Sequence, residues 1–375
     1  MEAKSYQDLN ITPRILLGPG PSMVAPRVLN ALSYPLVGHL DPQFLTLMQE
    51  VQQLLRFVFQ TENELTVPVS GTGSAGMEAA LCNFIEPGDN VLVAVLGYFG
   101  ERMVEMAGRY GAQVDRIDRP WGEAFDPEEV KAALQKKKYK LLAMVHAETS
   151  TGVLQPGIAE IATAAHENGA LLVLDAVTSL GGMPVEIDAW GVDVAFSGTQ
   201  KSMSAPPGLA PLTVSPRARE VLRKRKTPVG NWYLDLSLLE KYWGNERTYH
   251  HTAPINSNYA LREALRIVAE EGLEERFARH RSNAEVLWSG LEDLDISLFV
   301  PEEHRLTTLT TAVIPPGING VDIRKQLLND YNVEIAGGFG PLVGKIWRIG
   351  LMGYSSRLEN VMLLLAALRE ILKKR

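Results

Sequence analysis

The sequence predicts an α/β fold in which a mostly parallel central sheet carries helices on both faces. Short apolar runs typical of strands alternate along the chain with segments whose apolar residues recur at helical spacing. Several runs, such as residues 170–174, are apolar at every position, which is typical of strands buried on both faces of a sheet. Beyond residue 257 the pattern changes to a long helix followed by shorter strands, and this change predicts a smaller α+β domain at the C-terminal end.

The element boundaries follow from these patterns in chain order. The first residues lack periodicity and lead into Gly18-Pro19-Gly20-Pro21, so we expect an N-terminal arm over residues 1–20, a large domain over 21–275 and a small domain over 276–375. The predicted helices cover residues 42–60, 77 onward, 99–110, 126–136, 158–168, 217–226, 257–289 with a break at Gly272, and 321–330. The predicted strands cover residues 65–69, 90–96, 113–117, 140–146, 170–174, 192–196, 209–215, 296–299, 310–314, 333–336 and 345–350.

Composition and charge argue against several classes of protein. The 375 residues carry 37 basic and 44 acidic side chains, a formal charge of −7, which argues against nucleic acid as a partner. The one cysteine, Cys82, excludes an internal disulfide and a cysteine-based zinc site, and its place on the apolar face of a predicted helix indicates a core residue. No apolar stretch reaches the ~20 residues that cross a bilayer, and neither terminus resembles a targeting signal. We therefore expect a cytoplasmic protein without a membrane segment.

Two charged residues follow neighbouring buried runs. Asp175 ends the run 170–174, and Lys201 comes shortly after the run 192–196. Open α/β sheets bind ligands at the carboxyl edge of their strands, where burial favours a neutral, nucleophilic lysine. A lysine that binds the cofactor covalently and an acid that pairs with its protonated ring nitrogen are the two groups that pyridoxal phosphate requires. Taken alone, Lys201 could be an exposed loop residue and Asp175 could cap the next helix, but together they favour the cofactor.

A glycine-rich turn joins the predicted strand 65–69 to the next helix. The turn is Ser70-Gly71-Thr72-Gly73-Ser74, and free backbone N–H groups at the start of a helix form an anion site. The turn matches neither the P-loop pattern nor the dinucleotide fingerprint. The residues alone therefore indicate a phosphate without saying which molecule carries it.

Two pairs of residues raise the question of a metal site. His146 and Glu148 end a predicted strand with no third ligand nearby in the sequence, so we favour a hydrogen-bonded strand-end histidine over a metal site or an acid–base pair. His250 and His251 are adjacent, and we expect their side chains to point apart. The sequence therefore predicts no metal site.

Six short motifs place these features in a known family. In chain order they are Leu17-Gly18-Pro19-Gly20-Pro21-Ser22, Ser70-Gly71-Thr72-Gly73, Glu148-Thr149-Ser150-Thr151-Gly152, Asp175-Ala176-Val177-Thr178-Ser179-Leu180-Gly181-Gly182, Ser197-Gly198-Thr199-Gln200-Lys201 and Tyr249-His250-His251-Thr252. In this order and spacing, over about residues 16–372, the chain resembles the alanine–glyoxylate and serine–pyruvate aminotransferases. These are class V pyridoxal-phosphate enzymes of fold type I, so the resemblance implies that fold and that cofactor.

The resemblance also implies a role for each site residue. Lys201 and Asp175 would be the catalytic pair. The other cofactor-binding residues would be Thr72, Gly73 and Ser74 at the phosphate, Phe99 stacked on the ring, Thr149, Gln200, and Tyr249 and Thr252, which in the family reach the partner's cofactor across a homodimer interface. The substrate-binding residues would be Arg348, Gly20 and His39. Arg348 alternates with large apolar residues in a strand, and its planar guanidinium would clamp the substrate α-carboxylate, although the residues alone also fit a surface cation.

The same resemblance implies the reaction. We expect an amino group to move from a small L-amino acid, alanine or serine, to glyoxylate by a ping-pong mechanism. Serine–glyoxylate, ureidoglycine–glyoxylate and aminophosphonate–pyruvate aminotransferases of the same family are alternatives. A cysteine desulfurase needs a mobile cysteine, whereas Cys82 lies in a predicted helix far upstream of the lysine. A non-enzymatic scaffold is disfavoured because Lys201, Asp175 and Arg348 are all present.

Overall fold

A seven-stranded sheet runs through the centre of the structure, a computed structural model that describes residues 6–373. The strands of the chain are β1 (Ile15–Leu16), β2 (Leu65–Ser70), β3 (Asn90–Val95), β4 (Gln113–Asp118), β5 (Leu141–Val145), β6 (Ala147–Glu148), β7 (Val153–Leu154), β8 (Leu171–Asp175), β9 (Val194–Phe196), β10 (Leu209–Val214), β11 (Leu309–Val313), β12 (Val333–Glu334), β13 (Ala336–Gly337) and β14 (Ile346–Gly350). The central sheet has the order β2-β10-β9-β8-β5-β3-β4. Its neighbouring strands are parallel except for β10, which is antiparallel to both β2 and β9.

Helices cover the sheet between successive strands. They are α1 (Pro26–Ala31), α2 (Pro42–Phe59), α3 (Gly73–Cys82), α4 (Tyr98–Arg109), α5 (Pro127–Leu134), α6 (Ile158–Asn168), α7 (Ile187–Trp190), α8 (Pro216–Arg223), α9 (Leu236–Trp243), α10 (Ile255–Glu271), α11 (Leu273–Glu292), α12 (Gly320–Tyr331) and α13 (Leu358–Lys373). The predicted break at Gly272 is confirmed, since it separates α10 from α11. Within residues 6–373, no helix is both long enough and apolar enough to span a bilayer.

The central sheet has a hydrophobic core on each face. In β3 the side chains of Val91, Val93 and Val95 join one cluster, whereas those of Leu92 and Ala94 join another. Successive side chains of a strand point to opposite faces, so a strand covered on both sides is apolar at every position. The predicted α/β fold with a mostly parallel sheet is confirmed.

A second, antiparallel sheet of the order β11-β14-β13 lies in the C-terminal part of the chain. Residues of α11, α12 and α13 share a core with this sheet around the fully buried Trp347. The short strand β1 pairs in parallel with β12, so the end of the predicted arm joins this part of the molecule. Residues 1–5 of the arm lie outside the described residues, and the domain boundaries at residues 20 and 275 stay a prediction.

Two features differ from the sequence patterns. The expected strand 296–299 does not form, and Leu298 makes only a single bridge to Ala312. Two backbone hydrogen bonds, Phe299 N–H to the Thr311 carbonyl and Val313 N–H to the Ser297 carbonyl, make this bridge, and the pairing does not extend beyond it. Helices α1, α7, α9 and α13 have no counterpart among the predicted elements, although α13 carries a regular series of buried residues on one face.

Candidate active site

Asp175 and Lys201 meet at the carboxyl edge of the central sheet. Strand β8 ends at Asp175, which lies opposite Phe196 at the end of the neighbouring strand β9. The chain then turns, and Lys201 and Asp175 line the same cavity. This cavity has a volume of about 340 Å³. Because parallel strands end at the same edge, two residues that are distant in sequence lie together here.

The Lys201 side chain packs against the N-terminal segment at Pro19 and Gly20. It is 8% exposed, and its Nζ donates a hydrogen bond to the carbonyl oxygen of Pro19. A Cβ at Gly20, where φ is +105°, would lie 2.8 Å from the Lys201 Cδ, so both the backbone and the lysine require glycine there. Burial lowers the pKa of Lys201 to about 8, and the Asp175 carboxylate opposes this. The neutral, nucleophilic amine is therefore more abundant than in an exposed lysine.

Asp175 is held in an environment that disfavours its charge. It is 2% exposed, and its Oδ1 accepts a hydrogen bond of 2.8 Å from the Val177 amide. Burial raises the pKa of Asp175 to about 7, and the Glu148 carboxylate adds to the rise, whereas the Val177 amide and Lys201 oppose it. A cation bound next to this carboxylate would supply the partner that a buried charge needs.

The first turn of α3 faces the same cavity. Gly73 and Ser74 line it, and their amides have no hydrogen-bond acceptor in the described part of the chain. The exposed Thr72 precedes them as N-cap without a side-chain capping bond. Arg102, which sequence reasoning missed, also lines the cavity and donates from Nη1 to the Ser74 Oγ at 3.0 Å. Its spacing of three residues from Phe99 on α4 was the available signal. Free amides, the helix dipole and a guanidinium together form an anion site.

Three further predicted residues line the cavity. The Phe99 ring centre lies 5.1 Å from the Arg102 Cζ. Thr149 is buried and shares a hydrogen bond with the Thr178 hydroxyl. The Gln200 Oε1 is buried without a hydrogen-bond partner among residues 6–373. An unpaired buried acceptor of this kind is expected where a ligand donates a hydrogen bond.

A fully buried acid, Glu148, lies behind the cavity and connects Ser150 with the start of α4. Its Oε1 accepts hydrogen bonds from the amide and hydroxyl of Ser150 at 2.9 and 2.6 Å, and its Oε2 accepts from the Phe99 amide at 3.3 Å. Burial raises the pKa of Glu148. Its charge in turn raises the pKa values of Asp175 and Lys201. The sequence shows a strand-end acid here, but its contact with the start of α4 depends on the fold.

Arg348 approaches the cavity from the second sheet. It lies in β14, is 4% exposed, and donates from Nε to the Gly337 carbonyl at 2.7 Å and from Nη1 to the Thr149 carbonyl at 3.3 Å. The Phe339 ring centre lies 4.1 Å from its Cζ. Burial lowers the pKa of Arg348 to about 10, and Glu148 opposes this. At neutral pH the group remains a cation, suited to a carboxylate.

The remaining predicted residues divide into two groups. Gly20 lines the cavity beside Lys201. His39 instead lies against Tyr249, with ring centres 5.1 Å apart. Tyr249 is 58% exposed, and Thr252 is exposed as well. Tyr249, Thr252 and His39 do not line the cavity of their own chain. Thr72 and Arg348 do not line it either, but Thr72 directly precedes Gly73 and Arg348 bonds to Thr149, and both Gly73 and Thr149 do line it. The roles of Tyr249, Thr252 and His39 stay predictions.

His146 has the environment of a structural histidine. It is 5% exposed, its Nδ1 lies 2.9 Å from the Ser179 Oγ, and its ring packs edge-on against Trp190. Burial lowers the pKa of His146 to about 4, so the ring is neutral at physiological pH. The described residues contain no group of three or more side chains placed to hold a metal ion.

The expectation that His250 and His251 point apart is wrong. Their Nδ1 atoms lie 2.8 Å from each other. The cause is the packing of each ring: His250 stacks on Trp232 with ring centres 4.5 Å apart, and the His251 Nε2 lies 2.7 Å from the Ser70 Oγ. The pair thus connects an exposed loop with the end of β2.

Arg276 is a buried residue near the site that sequence reasoning missed. Its Nε donates to the Gly181 carbonyl and its Nη2 to the Ser202 carbonyl, both at 2.6 Å, while Nη1 pairs with Glu271 at 2.5 Å. These bonds fix the backbone directly after Lys201. The spacing of Arg276 relative to the other buried residues of α11 was the signal that could have found it.

These groups fit pyridoxal phosphate. The cavity offers an amine with a lowered pKa, a buried acid for a ring nitrogen, an aromatic platform and an anion site at the start of a helix. Lys201, Asp175, Phe99 and the Gly73–Ser74 turn would hold the respective parts. The buried Gln200 Oε1, which has no hydrogen-bond partner among residues 6–373, also fits a bound group that donates a hydrogen bond to it.

Comparisons with known proteins agree with this geometry. The model of the family "Aminotransferase class-V" matches residues 16–359. The chain is 44% identical to (S)-ureidoglycine–glyoxylate transaminase of Bacillus subtilis, over 96% of this chain and 90% of the relative, and 43% identical to alanine–glyoxylate aminotransferase of Rattus norvegicus, over 97% and 89%. The crystal structure of alanine–glyoxylate aminotransferase from Nostoc sp. matches with a TM-score of 0.96 at 55% identity, over 98% of both chains. The chain therefore belongs to the class-V aminotransferases, pyridoxal-phosphate enzymes of fold type I.

Proposed function

We propose that this aminotransferase moves the amino group of L-alanine, or of L-serine, to glyoxylate. The observation that carries the proposal is the likeness over nearly the whole chain to the Nostoc protein, whose name states alanine and glyoxylate. Arg348 offers one buried cation for one α-carboxylate.

The residues of the chain divide the reaction between them. Bound pyridoxal phosphate supplies an electron sink beside the substrate α-carbon. The Arg348 guanidinium binds the substrate α-carboxylate and so directs the α-carbon toward Lys201. The Lys201 Nζ takes the α-proton as a general base and later returns a proton as a general acid, while the Asp175 carboxylate keeps a proton at the ring nitrogen. A first keto acid leaves before the second substrate binds, so the kinetics are ping-pong.

(S)-Ureidoglycine is the second candidate for the amino donor. The relative from Bacillus subtilis that bears this name covers the chain as fully as the alanine–glyoxylate relatives do. Both names share glyoxylate as the other substrate. The acceptor is therefore the better supported half of the proposal, and the donor is what the experiment has to decide.

The test follows the absorbance of the bound cofactor. L-Alanine, L-serine, L-aspartate and (S)-ureidoglycine are added separately to the purified holoenzyme, and glyoxylate is added afterwards. We expect alanine or serine to bleach the band and glyoxylate to restore it. A band that responds to ureidoglycine alone would select the second candidate. A band that responds to none of the small amino acids would overturn the proposal.

We also propose that the enzyme is a homodimer whose active sites are shared. The support is that Tyr249 and Thr252, which resemble phosphate-binding residues of the family, are exposed and do not line the cavity of their own chain. Trp232 and Tyr233, close to the same loop, are 64% and 41% exposed, as expected for a surface that meets a partner. A cytoplasmic location stays a prediction, which localisation of the tagged protein would check.

Hybrid dimers test the shared site. Chains that carry Lys201→Ala and chains that carry Tyr249→Ala with Thr252→Ala are co-expressed with different tags, and the mixed dimer is purified. If Tyr249 and Thr252 serve the partner's cavity, the mixed dimer contains one intact site and recovers up to half of the wild-type activity. If they serve their own chain, both sites are defective and no activity returns. Sedimentation of the wild-type protein as a monomer would contradict the dimer itself.

A further inference from the structure

Two aromatic side chains meet beside the cavity from different sheets. Tyr98 is the first residue of α4, next to Phe99, and Phe339 follows β13. Their ring centres lie 5.3 Å apart, and each residue is 39% exposed. Neither was identified from the sequence, because 240 positions separate them and no local pattern relates them.

The two rings connect the cofactor side of the cavity with Arg348. The Phe339 ring lies 4.1 Å from the Arg348 Cζ, and the Tyr98 ring lies 5.7 Å from the Phe99 ring at an angle of 89°. The Arg102 Cζ lies 5.2 Å from the Tyr98 ring on the same side. A continuous series of aromatic and cationic groups therefore runs from the predicted cofactor platform to the predicted carboxylate clamp.

The backbone holds both rings in place. The Tyr98 amide donates to the Ser150 Oγ at 3.0 Å. On the other side, a Cβ at Gly338 would lie 2.1 Å from the Leu342 carbonyl oxygen, so the turn that carries Phe339 is too tight for any side chain at position 338. A wall built on two fixed segments can discriminate between substrates by size.

Arg348 leaves donors free next to this wall. A guanidinium has five N–H groups, and those of Arg348 have two acceptors within the described chain, the carbonyls of Gly337 and Thr149. The remaining donors are available to a carboxylate while Phe339 covers the face of the group. A carboxylate bound at these donors therefore lies next to the Phe339 ring, and Tyr98 lies against Phe339.

We propose that Tyr98 and Phe339 determine the substrate specificity of this enzyme by forming an aromatic wall that admits the side chains of alanine and serine and excludes branched and aromatic ones. This inference rests on the proposed function, since it takes Arg348 as the carboxylate clamp. Phe339 has a second effect, because its ring orients the guanidinium on which it stacks. The pair thus links the size of the substrate to the placement of its carboxylate.

The test measures kcat and KM with L-alanine, L-leucine and L-phenylalanine for the holoenzyme and for Phe339→Ala, Phe339→Leu and Tyr98→Ala. We expect Phe339→Ala to lower the preference for alanine over leucine, as a ratio of kcat/KM, by about tenfold or more. Loss of the stacked ring should also raise KM for alanine about threefold to tenfold. Phe339→Leu should recover part of the preference. Phe57→Ala on α2 is the matched control, since this phenylalanine is 42% exposed and its ring contacts neither Arg348 nor Tyr98 nor Phe339 in the described structure.

The outcomes separate this inference from the function on which it rests. If the variants keep activity with alanine and the preference over leucine does not change, the aromatic wall is refuted while the aminotransferase reaction stands. If the wild-type enzyme accepts no small amino acid, the proposed function fails and the inference fails with it. Should Phe339→Ala not fold, as judged by circular dichroism, Phe339→Leu and Tyr98→Ala decide the question by the same ratio.

Discussion

Charged residues occur in two contrasting settings in this molecule. On the surface, Arg27 of α1 pairs with Glu263 and Glu270 of α10 at 2.5 and 2.7 Å, and Arg266 adds a further bond to Glu270 at 2.7 Å. The hydrogen bond from Arg27 is the main cause that lowers the pKa of Glu270 to about 2, and the same bond raises the pKa of Arg27. In the cavity, burial moves the pKa of Lys201 down and that of Asp175 up. Oppositely charged neighbours favour the charged forms of Arg27 and Glu270 at the surface, whereas loss of water favours the neutral forms of Lys201 and Asp175 in the cavity.

The contrast separates stability from reactivity. The lowered pKa of Lys201 means that burial destabilises the cofactor-free protein fully below about pH 8, and this effect disappears as the pH rises toward the ordinary value of 10.5. The raised pKa of Asp175 means that burial of this group does not destabilise the protein below its ordinary pKa of 3.8. The destabilisation increases as the pH rises above 3.8 and is complete above about pH 7. The cavity thus keeps groups that weaken the fold, as is common at sites of chemistry.

Lys201→Met gives the largest expected effect. Transamination should fall by about 10⁴-fold because the general base is lost. The melting temperature of the cofactor-free protein at pH 7 should not fall, and we expect it to rise, because a buried cation is replaced by an apolar side chain of similar length. Single-turnover kinetics and thermal unfolding measure the two effects. Lys224→Met, at an exposed residue directly after the end of α8, is the control and should change neither. A marked loss of stability in Lys201→Met would break the contrast.

Arg348→Lys tests the clamp without removing its charge. A lysine cannot present the planar fork of a guanidinium, so kcat/KM for the amino donor should fall about tenfold to a hundredfold, chiefly through KM. Steady-state kinetics with the donor that the spectral test identifies provide the measurement. A fall in kcat at unchanged KM would instead place Arg348 outside the carboxylate site.

The pH dependence of cofactor capture gives an effect of about tenfold. The rate at which cofactor-free protein binds pyridoxal phosphate should rise with pH and level off above about pH 8, because the neutral Lys201 amine reacts. At pH 7 the rate should be about tenfold below the plateau. Stopped-flow absorbance measures the rate, and mass spectrometry after borohydride reduction identifies the modified lysine. A rate that still rises above pH 9 would show that burial does not lower this pKa.

Glu148→Gln should have a smaller effect, on both catalysis and cofactor capture. The amide has the same shape but one acceptor fewer, so the bond to the Phe99 amide is weakened and kcat/KM should fall about threefold to tenfold. Glu148 raises the pKa of Lys201, so its neutralisation should move the plateau of cofactor capture to lower pH. An unchanged pH profile together with a loss of kcat/KM would mean that Glu148 acts through hydrogen bonds alone.

Some residues of the site were accessible from the sequence and others were not. Asp175 and Lys201 follow apolar runs, and parallel strands end at one edge, so their proximity could be predicted from local patterns. Phe339 could not, because its contacts with Arg348 and Tyr98 depend on how the two sheets pack. His250 was misjudged for the same reason, since its orientation is set by stacking on a distant residue rather than by its neighbour.

Arg27→Gln is expected to have the smallest effect. Exposed ion pairs contribute little because water competes for both charges, so the melting temperature should fall by about 2 °C or less and transamination should not change. Arg109→Gln, which removes an exposed pair with Glu105 within α4, is the matched control. Added salt should diminish the difference between Arg27→Gln and the wild type, since mobile ions screen exposed charges. The stability gained in Lys201→Met should persist in salt, because its cause is the burial of the lysine. If the melting temperatures of Lys201→Met and Arg27→Gln depended equally on salt, the cavity would be as accessible to water and ions as the surface.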